Sequence, residues 1–266
     1  MNHRPDPMTP DVIASRDNPW AKQCRALAQE SVAYRKTGTV WLEGDHLCQA
    51  LLARGHRPLT VVVTASHPAV ADGWMLPAEV RRVVVPDALM AWISGLPSPP
   101  KVACVARLPG DPVIRPGVPT VVLDRLQDPG NLGSILRTAA AMGFAQVVAL
   151  KGSAALWAPK VVRAGMGAHF ALHLVEGQAS ASLDAIQVPL LATSSHDGCW
   201  LHEATLPWPC AWVMGHEGQG VSPELLHRAA VRVRIAQPGG EESLNVAAAA
   251  AICLHASATS GPVARL

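Results

Sequence analysis

From Thr120 onward the chain alternates short, uninterrupted apolar runs with helical patterns, and that alternation constrains the fold more than any other feature. Strands are predicted over residues 120–123, 146–150, 172–175, 189–193, 211–214 and 231–235, and helices over 131–142, 223–227 and 243–255. A strand that is apolar at successive positions, rather than at every second one, is buried on both faces. Such strands separated by helices predict a parallel sheet covered on both sides.

The N-terminal part reads differently. Residues 1–18 are polar, proline-bearing and aperiodic, which predicts a flexible arm. Beyond it the patterning predicts helices over 20–35, 45–54 and 87–93 and strands over 39–42, 60–64, 82–85 and 101–106, a small α/β domain spanning 19–108. Pro109, Pro112, Pro116 and Pro119, with Gly110 and Gly117, favour an extended connector over 109–118, leaving 119–266 as the second domain.

Composition narrows the class. With 49% apolar residues the chain has material for a substantial core. Its N-terminus lacks the apolar stretch of a targeting signal, and the longest apolar run, residues 246–254, is far short of the roughly 20 residues of a membrane span, so a soluble, cytoplasmic protein is expected. Six cysteines without a C-x-x-C pair argue against both a disulfide framework and structural zinc. Eleven histidines form no metal-binding or triad motif, so no metal is expected; His169, His196 and His216 are read as ordinary polar residues, and the eight tryptophans as core. Net charge is only +2, but residues 1–110 carry 12 basic and 9 acidic side chains while the remainder is slightly acidic. Any attraction for a polyanion is therefore expected from the N-terminal part.

Three junctions at predicted strand ends are unusually polar or glycine-rich, where open α/β sheets place their ligands. In the first, Asp124 to Gly133 leads into a helix that Asn131 can cap, with Arg137 about one and a half turns further on; a plain capped helix with an ion-paired arginine explains this segment equally well. In the second, Gly215-His216-Glu217-Gly218-Gln219-Gly220-Val221-Ser222 lets backbone groups approach a flat ligand. Its spacing is not that of the dinucleotide fingerprint, and a structural turn accounts for the glycines but not for Glu217 between them. In the third, Ile235-Ala236-Gln237 precedes Ser243-Leu244-Asn245 at the start of the last helix, where simple capping by Ser243 competes with ligand binding.

Together these junctions resemble the three motifs of the SpoU (TrmH-like) RNA 2′-O-ribose methyltransferases of the SPOUT superfamily: Asn131, Gly133 and Arg137; Gly215 to Ser222; and Ser243 to Ala247. Pro159 to Phe170 looks like a further segment of that family. Ile13 to Pro19 and Arg35 to Gly44 are similar to its N-terminal substrate-binding module.

The resemblance implies a C-terminal α/β domain with a deep trefoil knot, preceded by a small α/β RNA-binding domain, in a homodimer with sites at the interface. It implies S-adenosyl-L-methionine held by backbone groups around Met214, Gly215, Glu217, Gly218, Gly220, Ile235, Gln237, Ser243, Leu244 and Asn245. It implies catalysis through Arg137, with Asn131, Glu217 and Asn245 orienting the arginine and the nucleotide. Arg16, Lys22, Arg25, Arg35 and Lys36 are then candidates for RNA phosphates. The expected substrate is structured RNA, ribosomal before transfer RNA, with no DNA or membrane partner. A silent RNA-binding or assembly protein and a small-molecule methyltransferase are the alternatives. One departure stands out: the family often has Ile-Pro-Met where this chain has Ile235-Ala236-Gln237.

Overall fold

The computed structural model describes residues 10–110, 112–194, 197–239 and 243–260. Residues 1–9 of the expected arm, His196, and residues 240–242 of the third junction lie outside them. The chain divides into two units: the first takes residues up to Gly110 together with Trp157–Phe170, and the second takes the rest.

The first unit begins with β1 (Asp11–Val12), α1 (Pro19–Gln29), α2 (Tyr34–Thr37), β2 (Thr39–Glu43), α3 (Asp45–Ala53), β3 (Pro58–Thr64), β4 (Arg81–Val85), α4 (Asp87–Ser94) and β5 (Val102–Arg107). Its sheet runs β1-β4-β3-β5-β2, with β1, β4 and β3 parallel and β5 antiparallel to both neighbours. The expected arm is corrected at its end: Asp11 and Val12 pair with Val83 and Val84, and Ile13 is buried. Two residues pairing with an existing edge need no apolar periodicity of their own. α1 starts where Asn18 Oδ1 accepts from the amides of Trp20 (2.9 Å) and Ala21 (3.3 Å), with Pro19 at the first helical position. The single helix expected over 20–35 breaks at Glu30, which is extended. Ala21, Cys24, Leu27 and Ala28 form the buried stripe, and the exposed Ser31 and Val32 offer nothing to continue it.

Past Gly110 the chain enters the second unit with β6 (Thr120–Leu123), α5 (Pro129–Ala141) and β7 (Gln146–Leu150). α6 (Pro159–Gly165) belongs to the first unit, a correction to the reading that gave all of 119–266 to one domain. Val161 and Val162 are buried there, and Arg163 pairs with the nearly enclosed Glu43 carboxylate at 3.1 Å. The second unit continues with β8 (His173–Gln178), β9 (Leu190–Thr193), β10 (Cys199–Trp200), β11 (Ala211–Met214), α7 (Pro223–Arg228), β12 (Val231–Arg234) and α8 (Val246–Ser260).

Its seven strands run β10-β12-β9-β11-β6-β7-β8, and every pairing is parallel. Alternation along each strand then sorts the side chains. Val122, Val148, Val175, Ala192 and Val213 pack with Leu225 of α7 and Ile114 of the connector in one core. Their neighbours Val121, Leu123, Val147, Leu191, Trp212 and Met214 are equally buried. Both faces of the sheet are therefore covered, as the continuous apolar strands predict. α8 packs against β11 and α5 through a stripe of Ala250, Cys253, Leu254 and Ser257. No helix among the described residues is long and apolar enough to cross a membrane.

The anchor of α8 is a fully buried hydrogen bond from the Trp212 indole N–H to Ser257 Oγ, 2.8 Å. Ser257→Ala leaves that donor unsatisfied, at a cost of about 1–3 kcal/mol. We expect a lower urea midpoint for the second unit at unchanged slope, followed by tryptophan fluorescence; an unchanged midpoint would show that water replaces the hydroxyl.

Candidate active site

Because all strands of the second sheet are parallel, their carboxyl ends lie along one edge, and the three polar junctions follow β6, β11 and β12 there. The first contact between them is backbone: the Asp124 amide donates to the Met214 carbonyl, 2.8 Å. The buried Asp124 side chain extends it. Its Oδ2 accepts from the Ser222 amide at 2.7 Å, closing the glycine-rich loop, and its Oδ1 accepts from Arg125 Nε at 3.0 Å. Arg125, held at φ 62°, reaches Gln219 Oε1 at 3.0 Å.

The loop is internally braced. His216 and Gly220 exchange backbone hydrogen bonds of 3.0 and 2.8 Å, and His216 Nδ1 accepts from the amides of Gly218 and Gln219. Gly215 has no alternative residue: a Cβ there would lie 2.1 Å from the Gly220 carbonyl carbon and the Val221 nitrogen. Gly220, at φ 68°, has open space beside it instead.

Glu217 joins this loop to the first junction, accepting from the amides of Asp128 (3.0 Å) and Gln127 (3.3 Å) and from Asn131 Nδ2 (3.3 Å). Asn131 Oδ1 in turn accepts from Asn245 Nδ2 at 3.0 Å. Glu217, Asn131 and Asn245 thus form one chain of hydrogen bonds through all three junctions. Two capping expectations are corrected. Asp128 caps α5, accepting from the Asn131 amide at 2.7 Å with Pro129 following, which frees the Asn131 side chain for the network. Asn245, not Ser243, caps α8, accepting from the amides of Ala247 and Ala248, so the helix starts at Val246. Ser222 precedes α7 without a side-chain cap.

Arg137 stands apart. Six residues beyond Asn131, it is turned roughly 240° around the α5 axis. It is exposed, and no carboxylate pairs with it among the described residues. Among the described residues no hydrogen bond or ion pair joins it to Glu217, Asn131 or Asn245.

Among the remaining expected site residues, Met214 and Gly215 are buried at the strand end, and Gly218, Ser243 and Leu244 are exposed. Ile235 is half-buried, and so is Gln237, whose Oε1 is buried without a hydrogen-bond partner among the described residues. A Cβ at Gly239 would meet nothing within 4 Å. Open space beside Gly220 and Gly239 and a buried acceptor awaiting a donor suit a flat ligand with amino groups.

Of the five cations read as phosphate contacts in the first unit, Arg25 is engaged inward, donating to the Trp92 carbonyl and lying 4.6 Å over its ring. Arg16 lies 5.9 Å over the same ring, and Lys22 pairs with Asp17 at 3.1 Å. Arg35 and Lys36 are exposed on α2, Arg35 stacked over Tyr34. Among the described residues no group of three His, Cys, Asp or Glu side chains is placed to hold a metal ion. Burial pushes the Cys24 and Cys253 thiols up to about 12 and Cys210 to about 11, removing them as nucleophiles near neutral pH.

Residues 119–255, which contain the entire network, match the SpoU rRNA Methylase family. The chain belongs to that family. It is 34% identical over 263 residues to an uncharacterized tRNA/rRNA methyltransferase of Synechocystis, covering 94% of each chain. It is 28% identical over 223 residues to the 23S rRNA (guanosine(2553)-2′-O)-methyltransferase of Bacillus subtilis, covering 83% of this chain and 88% of that one. The AdoMet-bound rRNA methyltransferase of Sinorhizobium meliloti superposes with a TM-score of 0.81 at 27% identity, over 93% of this chain and 97% of that one. Sequence reading of the SpoU motifs missed Asp124, Asp128 and His216 as organisers of the site. Asp128 was within reach, since an aspartate directly before a proline marks a helix start.

Glu217 yields a pH prediction. Partial burial works against its charged form, but the donors from Asp128, its own backbone, Asn131 and Gln127 outweigh it and hold the carboxyl below the ordinary value. A lowered folded-state pKa contributes stability that is present above the unfolded value, about 4.3, and lost as pH falls through the folded one. Glu217→Gln should therefore flatten the acid limb of the melting temperature of the second unit between about pH 5 and pH 3, modestly because the group is exposed. Parallel acid limbs for the two proteins would refute this.

Proposed function

We propose that this chain transfers a methyl group from S-adenosylmethionine to a ribose 2′-oxygen in structured RNA, ribosomal rather than transfer RNA. It works as a homodimer whose second unit carries the trefoil knot of its family. The observation that carries the reading is the Glu217–Asn131–Asn245 chain, which binds the three SpoU motifs together at the ligand edge of the sheet and, among the described residues, leaves Arg137 without a carboxylate partner. Relatives named as 23S rRNA 2′-O-methyltransferases favour ribosomal RNA.

The backbone around Met214, Gly215, Gly218, Gly220, Ile235, Gln237, Ser243 and Leu244 would hold the cofactor. Bound there, S-adenosylmethionine supplies a methyl group already made electrophilic by its sulfonium. What remains for the protein is to place the 2′-hydroxyl in line with it and to stabilise charge developing on that oxygen. Arg137 suits the second task. Its guanidinium keeps its protons at any working pH, so it acts as a donor to the developing alkoxide and to the adjoining phosphate, not as a base.

Glu217 is equally unsuited to take the proton. Its carboxylate already accepts three hydrogen bonds and is held below its ordinary pKa, so it is a positioning residue, as are Asn131 and Asn245. Among the described residues Arg137 has no carboxylate partner, which fits a site completed across the dimer. Arg16, Lys22, Arg35 and Lys36 remain the phosphate contacts of the first unit. Arg25, tied to Trp92, serves its fold instead.

The test is transfer of labelled methyl from S-adenosylmethionine to ribosomal RNA from a strain lacking the gene, with the labelled nucleotide mapped. Arg137→Ala and Arg137→Lys should each lower turnover by about 10²-fold or more. Cofactor affinity by calorimetry should stay unchanged. Label on a base instead of a 2′-oxygen, or full turnover in Arg137→Ala, would reject the mechanism; absent cofactor binding would favour the silent RNA-binding protein.

A further inference from the structure

Trp200 closes the two-residue strand β10 at the outer edge of the second sheet, and it is not a core tryptophan: 36% of its surface is exposed. Its register partner is Arg234, the last residue of β12. The Arg234 guanidinium lies 4.1 Å over the indole, fixed by a hydrogen bond from Nε to the Gly198 carbonyl at 3.1 Å. The His202 ring follows alongside, 22° from parallel with centroids 6.5 Å apart. Arg232 is neutralised by Asp197 at 2.5 Å, and the His202 ring lies 3.7 Å from the Glu203 carboxylate. Arg234 has no carboxylate partner among the described residues.

Since the sheet is wholly parallel, Trp200 and Arg234 end their strands on the same edge as Leu123 and Met214. Arg234 also leads directly into Ile235 and Gln237 of the third junction. An exposed indole with a cation stacked on it that has no carboxylate partner among the described residues, at the ligand edge of a sheet, has the chemistry that takes a nucleobase on the ring and a phosphate on the cation.

We propose that Trp200 and Arg234 form a stacking platform for an unpaired base of the RNA substrate, with the Arg234 guanidinium meeting the neighbouring phosphate. The platform rests on the methyltransferase reading above and adds to it a single-stranded segment held at the β10–β12 edge. Stacking is indifferent to base identity, so the contact positions RNA without specifying sequence.

Binding of a fluorescein-labelled decauridylate by the full-length protein, followed by anisotropy across a salt series, tests this. Trp200→Ala should bind about 5-fold to about 150-fold more weakly. The slope of log affinity against log salt should be unchanged, because no phosphate contact is lost. Trp200→Phe, which keeps a ring face, should recover most of the affinity, and Trp200→Leu should not. Arg234→Gln should reduce the slope by about 0.7, one phosphate on a single strand. Melting temperature, sedimentation and calorimetric affinity for S-adenosylhomocysteine should stay at wild-type values in all four variants.

Affinity of Trp200→Ala within twofold of wild type, or Leu and Phe behaving alike, would overturn the platform. So would loss confined to melting temperature or to the dimer, which would make Trp200 a packing or interface residue. No decauridylate binding by the wild type would overturn it as well. The methyltransferase reading is tested separately, by whether the wild type labels ribosomal RNA at all.

Discussion

The side chain of Asn131 has to donate and accept at the same time. Its Nδ2 donates to the Glu217 carboxylate while its Oδ1 accepts from Asn245, and these two bonds hold three loops from three strands together. Aspartate could not donate, serine could not reach both partners with a single oxygen, and glutamine would displace the bridge by a methylene. The loops themselves are irregular backbone with no ladder to share, so cohesion at this edge falls to side chains. Asp124 supplies the second tie, between β6 and Ser222, from a buried position where an unmatched carboxylate would be costly.

The disposition of arginines in the second unit follows a related logic. Arg125, Arg228 and Arg232 are each matched to a carboxylate, Asp124, Asp184 and Asp197 respectively. Among the described residues Arg115, Arg137 and Arg234 are not, and the last two sit on elements adjoining the three junctions. A chain with a net charge of only +2 can still present cations to a polyanion if its carboxylates are spent on the other arginines. Local pairing, not net charge, therefore decides where a phosphate is met.

Much of this was legible in the sequence because the central strands of the second unit obey one rule: strands apolar at every position must be covered on both faces, as parallel strands with helical crossovers are. Strands 120–123, 146–150 and 211–214 accordingly coincide with the observed β6, β7 and β11. What was not legible depended on partners distant in sequence. β1 exists only because β4 offers an edge, α6 because Glu43 and buried neighbours receive it, and β10 because β12 offers an edge. At the site, the three motifs were visible as polar exceptions to apolar patterning, but Asp128 and Asn245 took the caps that Asn131 and Ser243 had seemed to offer. Several Asx and Ser residues near a helix start are interchangeable by propensity, and only the competing demand on Asn131 settles which one caps.

That competition also explains why the site is compact without being enclosed. If Asn131 capped α5, its Oδ1 would be taken up by backbone amides and Asn245 would lose its acceptor. Because Asp128 caps instead, the same turn of helix supplies Glu217 with two backbone amides and one side-chain amide. The glycine-rich loop can then remain open on its outer side, at Gly218 and Gly220, while Gly215 crosses the Gly220–Val221 backbone too closely for any side chain. Rigidity comes from the inner contacts and access from the missing side chains outside. A loop that must hold its shape and still admit a ligand needs both, and each requires glycine for a different reason: close approach at Gly215, and a left-handed turn at Gly220.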